Sequence, residues 1–125
     1  MNVVDSSGWL EYFADGPNAS FFAPAIRDSH HLVVPTLSLL EVFKRVLQQR
    51  DEDAALQAVA VMQQGDVVDL TLRVALEAAR LGHDLKLPPA DSIMLATARL
   101  HKAMLWTQDS DFKHQDDVKY IVKRK

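Results

Sequence analysis

Five acidic side chains give this chain its chemical interest. Asp5 follows the apolar pair Val3-Val4. Glu41 stands six residues after Pro35, and Asp91 stands two residues after Pro89. Asp109 follows Met104-Leu105-Trp106 through Thr107-Gln108, with Asp111 just beyond it. Carboxylates gathered within a few ångströms of one another repel, so some must stay protonated or a cation must lie among them. A hard divalent ion such as Mg²⁺, or Mn²⁺ in its place, suits an all-oxygen donor set and keeps waters for a phosphate. Such a cluster can activate water, orient a phosphodiester and stabilise the leaving oxygen, which is hydrolysis without a covalent nucleophile or an organic cofactor.

Taken one at a time, these residues have plainer readings. Asp5 with Ser6 and Ser7 could cap a helix. Ser38-x-x-Glu41 fits a capping box. Asp91 suits the first turn of a helix opened by proline, and Asp109 and Asp111 suit a turn. It is the pattern of elements that brings them together. Short apolar runs end at Val4, Val34, Val68, Trp106 and Val122, the last expected as a strand over Tyr120-Ile121-Val122. Helical periodicity lies between them: Trp9, Leu10 and Phe13; a short helix over 18–28; Leu39, Val42, Phe43 and Val46; a helix over 53–63 with Leu56, Val59 and Ala60 on one face; Leu72, Ala75, Leu76 and Ala79 up to Gly82; and a helix from Pro89 carrying Ile93 to Leu100. Strands alternating with helices predict an α/β fold, a three-layer α/β/α sandwich around a mostly parallel sheet of roughly five strands. In such sheets ligands bind beyond the carboxyl ends of the strands. Asp5, Glu41, Asp91 and Asp109 all fall at that edge, with Glu41 expected near the first turn of its helix.

The totals narrow the remaining classes. The chain of 125 residues has the length of one domain, 1–125. It has no cysteine, which removes disulfides, thiolate metal sites and cysteine nucleophiles. His30, His31, His83, His101 and His114 show no ligand spacing. A net charge of −3 is far from the basic balance of a protein that holds nucleic acid by bulk electrostatics, so any such contact needs local patches. Lys44, Arg45, Arg73, Arg80 and Arg99 are candidates, unranked, and the C-terminal run of Lys119 with Lys123-Arg124-Lys125 is a solvated tail or a patch. No signal-peptide pattern opens the sequence and no run is long enough to span a membrane, so a cytoplasmic location is expected.

Four segments together are recognisable. Val4-Asp5-Ser6-Ser7, Leu39-Leu40-Glu41-Val42, Leu87-Pro88-Pro89-Ala90-Asp91-Ser92-Ile93 and Leu105-Trp106-Thr107-Gln108-Asp109-Ser110-Asp111-Phe112 resemble, in order and spacing, the acidic motifs of PIN domains. The short single-domain form is similar to VapC toxins of VapBC toxin–antitoxin pairs. The resemblance implies metal-dependent RNA cleavage, with Asp5, Glu41, Asp91 and Asp109 as catalytic, metal-binding acids and Ser6 and Thr107 as hydroxyls of the site. It leaves Asp111 without an assigned role. It also implies a homodimer and a VapB-like antitoxin that blocks the site. Ala103 departs from the pattern, standing where many relatives carry glycine.

Other classes fit less well. A haloacid-dehalogenase-like phosphatase needs a second acid where Ser7 stands, and a receiver needs paired acids where Ser6 follows Asp5. Ser6-Ser7-Gly8 lacks the elbow of a serine hydrolase. The alternative that remains is a PIN-like module that binds RNA or protein without cleaving it, since fold alone does not confer activity.

Overall fold

A computed structural model describes residues 1–124. Five strands form one sheet in the order β3-β2-β1-β4-β5: β1 is Asn2–Val4, β2 Leu32–Pro35, β3 Asp66–Val68, β4 Met104–Thr107 and β5 Val118–Tyr120. Every pairing is parallel. The helices are α1 Ser6–Phe13, α2 Ala19–Arg27, α3 Thr36–Gln49, α4 Glu52–Met62, α5 Leu72–Leu85 and α6 Pro89–Leu100. Alternate residues of the central strands feed opposite cores. Val3, Val33 and Leu105 pack with Val74, Ala78 and Leu81 of α5 and with Met94 and Leu95 of α6. Val4, Leu32 and Val34 pack with Trp9, Phe22, Val42, Ala55 and Met62 of α1 to α4. This is the expected α/β/α sandwich. Its β1 and β2 are buried throughout or nearly so, as parallel strands covered on both faces must be.

Two helices turn faces other than those expected. Helix α4 buries Ala55, Ala58 and Met62, leaving Leu56 exposed. Helix α5 buries Val74, Ala78 and Leu81, leaving Leu72 and Leu76 at 76% and 60% exposure. Both helices are apolar on more than one side, so periodicity alone cannot select the core face. In α4 the chosen side carries small alanines, which allow close approach to α3. Helix α5 also runs past Gly82 to Leu85. Gly82 does not end the helix; a Cβ there would lie 2.8 Å from Ser92 Oγ, so it lets α6 pack close. The stop comes at Lys86, left-handed with φ 58°, followed by Pro88 and Pro89.

The departure at Ala103 has a local explanation. Helix α6 ends in a Schellman arrangement in which Lys102 takes the left-handed conformation, φ 52°. The Ala103 N–H donates to Ala98 O at 2.8 Å and the Lys102 N–H to Arg99 O at 3.1 Å. Ala103 itself is buried and needs no positive φ.

Candidate active site

The order of the sheet places β1 and β4 on either side of the point where the chain reverses its direction of travel across the sheet, which is where open α/β sheets bind ligands. Asp5 leaves β1 there. Its backbone N–H still donates to Trp106 O of β4 at 3.0 Å, so the strand pairing itself fixes the residue. Asp5 caps α1, as the plainer reading has it, with Oδ1 accepting from Ser6 N at 2.8 Å. Its Oδ2 accepts from Thr107 Oγ1 at 2.9 Å and Ser7 Oγ at 3.3 Å. The cap and the site are the same residue.

Glu41 is placed differently from expectation. Helix α3 begins at Thr36, so Glu41 lies in its second turn, and Ser38 is inside the helix with its hydroxyl on Met94 Sδ. The capping box does not form. Glu41 Oε1 instead accepts from Ser6 Oγ at 2.7 Å, across 35 residues of sequence. Asp91 lies in the first turn of α6, as expected. Asp109 caps a short 3₁₀ turn, Ser110–Phe112; its Oδ1 accepts from the Asp111 N–H, and its own N–H donates to Thr107 Oγ1, both at 2.9 Å. Thr107 is fully buried. Its hydroxyl ties Asp5 to Asp109, orienting acids rather than facing solvent.

Carboxylate oxygens of Asp91, Asp109 and Asp111 lie within 4.8 Å of one another. Asp5, Glu41, Asp91 and Asp109 line one cleft of about 500 Å³. The electrostatics express the same convergence. Burial pushes the Asp91 carboxyl up to about 7, helped by the negative charges of Asp109, Asp5, Asp111 and Glu41. Burial also raises Asp5, with Asp109 and Glu41 adding to the rise, while bonds from Thr107 and the Ser6 N–H oppose it. An arrangement that makes its own acids hard to ionise is costly unless a cation compensates. The donors are all oxygen, which fits a hard divalent ion. Asp111, whose role the sequence leaves open, stands in the tightest group of three.

Lys44 and Arg45 of α3 line the cleft. Arg99 is bonded to Gln115, and Arg80 pairs with Glu77 on α5. Of the histidines, His31, His83 and His101 bond to Asp28, Asp84 and Thr97 O, in keeping with their reading as non-ligands. Ser7, read from the sequence as part of a helix cap, bonds to Asp5, while Asn18, which had no sequence signal, forms a buried pair with Gln108, joined Nδ2 to Oε1 at 3.0 Å. Gly8 of the Ser6-Ser7-Gly8 run serves packing, because a Cβ would lie 2.6 Å from the Phe22 ring and 2.9 Å from Val4.

Residues 3–118 match the PIN domain family, and the chain belongs to it. No curated protein matches the chain by sequence. Among solved structures it is similar to a toxin–antitoxin complex from Klebsiella pneumoniae, with TM-score 0.82 and 20% identity over 95% of this chain and 96% of that one. It is also similar to VapC20 of Mycobacterium tuberculosis, a toxin that cleaves the sarcin–ricin loop (TM-score 0.75, 17% identity, 93% and 95% covered). A third is VapBC2 from Rickettsia felis bound to a promoter DNA fragment (TM-score 0.75, 11% identity, 95% and 97% covered). At these identities the likeness is one of fold. Among the described residues no helix is long and apolar enough to cross a membrane.

Proposed function

We propose that this single PIN domain is a divalent-metal-dependent endoribonuclease and the toxin of a VapBC-like pair. The observation that carries the reading is the convergence of Asp91, Asp109 and Asp111 in a cleft where burial, with the charges of Asp109, Asp5, Asp111 and Glu41 added, raises the Asp91 carboxyl to about 7. Asp91, Asp109 and Asp111, with Asp5 and Glu41 directly or through water, would hold Mg²⁺ or Mn²⁺. When bound, that ion supplies Lewis-acid stabilisation of the charge on the phosphodiester and makes a water more acidic.

The chain's own groups do the rest. Thr107 and the Ser6 N–H hold Asp5 in one orientation, and Ser6 holds Glu41 against the cleft. One of the cleft carboxylates would accept the proton of the attacking water. Lys44 and Arg45 keep the polyanion at a cleft whose acids would otherwise repel it. Single-stranded RNA is the expected substrate class, because unstacked nucleotides can enter such a cleft.

The partners follow from the same reading. An apolar trough between α1, α3 and α4, lined by Leu10, Phe13, Ala58 and Val61, meets the cleft at Leu10, which lines both. An antitoxin segment seated there would lie against the site. The exposed Leu72 and Leu76 of α5 supply an apolar face for a second copy of the chain. A cytoplasmic location goes with this role. Purified protein incubated with total cellular RNA, in Mg²⁺ or Mn²⁺ and in chelator, tests the proposal beside Asp91→Asn. Discrete products that need both the ion and Asp91 support it. Intact RNA from a folded, partner-free preparation points instead to a binding module.

A further inference from the structure

A second groove continues from the acidic cleft on its far side. It shares Ser7 and Asp109 with the cleft and adds Gln108, Ser110, Tyr120 and Lys123. At about 430 Å³ against about 500 Å³ it is comparable in capacity. Its character is different. Asp109, at the boundary, is the one acid lining it, and its outer wall offers a half-buried aromatic ring and an exposed ammonium.

That wall is built, although regular pairing of β5 ends at Tyr120. The Ile121 N–H donates to Thr107 O at 3.1 Å, so the chain stays against β4 beyond the strand. Asn18 is 1% exposed and uses its side-chain amide twice. Nδ2 donates to Gln108 Oε1 and to Val122 O, each at 3.0 Å. One buried side chain thus joins the floor of the groove, at Gln108, to the last residue before Lys123. The basic tail therefore leaves from a fixed point at the rim of the site, not from the end of a frayed strand.

We infer that one strand of RNA crosses the whole site, held at one end by Lys44 and Arg45 and at the other by the Tyr120–Lys123 groove, where Tyr120 stacks on a base and Lys123 contacts a phosphate. This rests on the nuclease reading and adds the path of the substrate. Charge supplies one argument: the centre of the site is acidic, so the phosphates flanking the one to be cut need cations on both sides. Shape supplies the other. A ring beside a cation, in a groove that tracks away from the centre, is how single strands are held without sequence readout. A duplex keeps its bases stacked and offers none to Tyr120.

The test uses the full chain carrying Asp91→Asn, which prevents cleavage, and a fluorescein-labelled oligouridine read by anisotropy over a range of salt. Adding Lys123→Gln should weaken binding several-fold and lower the slope of log K against log salt by about 0.7, the value for one phosphate contact on a single strand. Lys44→Gln should do the same from the other end. Tyr120→Ala should cost about tenfold and Tyr120→Phe little, since stacking needs the ring and not the hydroxyl. Thermal melting checks each fold; should Tyr120→Ala not fold, Lys123 and crosslinking decide. With 4-thiouridine at one end or the other, one end should crosslink to α3 and the opposite end near Tyr120. Binding that responds to Lys44→Gln but not to Lys123→Gln, with both ends crosslinking to α3, overturns the path and leaves the nuclease reading standing. Absence of RNA binding by every form overturns both.

Discussion

Ser6 Oγ donates to Glu41 Oε1 at 2.7 Å, joining the first turn of α1 to the second turn of α3 across the mouth of the cleft. The residue after the strand-end acid thus orients a carboxylate from another element. Ser6→Ala should leave Glu41 free to rotate. The expected result is a loss of RNA cleavage of about ten- to a hundredfold, the usual effect of removing a group that orients a metal-site ligand. The change in Tm should be small. Kinetics and melting on the same preparation check both.

The acids also set a pH dependence. In the folded chain Asp91 titrates near 7, above its ordinary 3.8, so between these values the folded state holds a proton that the unfolded state has released. Stability of the metal-free protein must therefore fall as pH rises from about 4 to about 7. Asp91→Asn removes its share of the fall and should make the profile shallower, leaving the part that the raised Asp5 contributes. Asp91 is partly exposed, so solvent screens much of the penalty. The gain at pH 7.5 should be on the order of 1 kcal/mol, about 4 °C in Tm. Melting in chelator from pH 5 to 8 measures it, and a wild-type profile that rises over this range would oppose the assignment.

Metal binding should show the complementary trend. An ion that takes Asp91 as a ligand must displace its proton, so affinity rises as pH increases through about 7. The rise in Tm on adding Mn²⁺ should be larger at pH 8 than at pH 6, by mass action on the folded state. An equal rise at both values would mean the ion binds elsewhere.

Much of this was legible beforehand because the relevant signals are local. Asp5 after Val3-Val4, Asp91 after Pro88-Pro89 and Asp109 after Thr107 each sit at a recognisable boundary between elements, and the parallel sheet then dictates that those boundaries share an edge. What was not legible depends on which of two acceptable packings wins. Leu72 and Leu76 form as good a helical stripe as Val74, Ala78 and Leu81, and only the position of α6 decides between them. Glu41 satisfied a capping pattern that the structure does not use, because α3 starts three residues earlier than that pattern requires, at Thr36 rather than Leu39. Asn18 has no motif at all; its bonds reach across 90 and 104 residues.

Gly8 gives a test of packing separate from chemistry. A methyl group there would meet the Phe22 ring and Val4, both fully buried, so neither has room to yield. Gly8→Ala should destabilise the chain by about 1–3 kcal/mol. Denaturant titration measures this, and a neutral result would mean that α1 can lift from α2 without cost.

If the acids at the sheet edge form one cation site, calorimetric titration of Mn²⁺ into the wild type, Asp91→Asn and Asp111→Asn will reveal it. Saturable binding should occur in the wild type, weaken about tenfold or more in Asp111→Asn, and vanish in Asp91→Asn. Binding of equal strength in all three proteins would contradict the account.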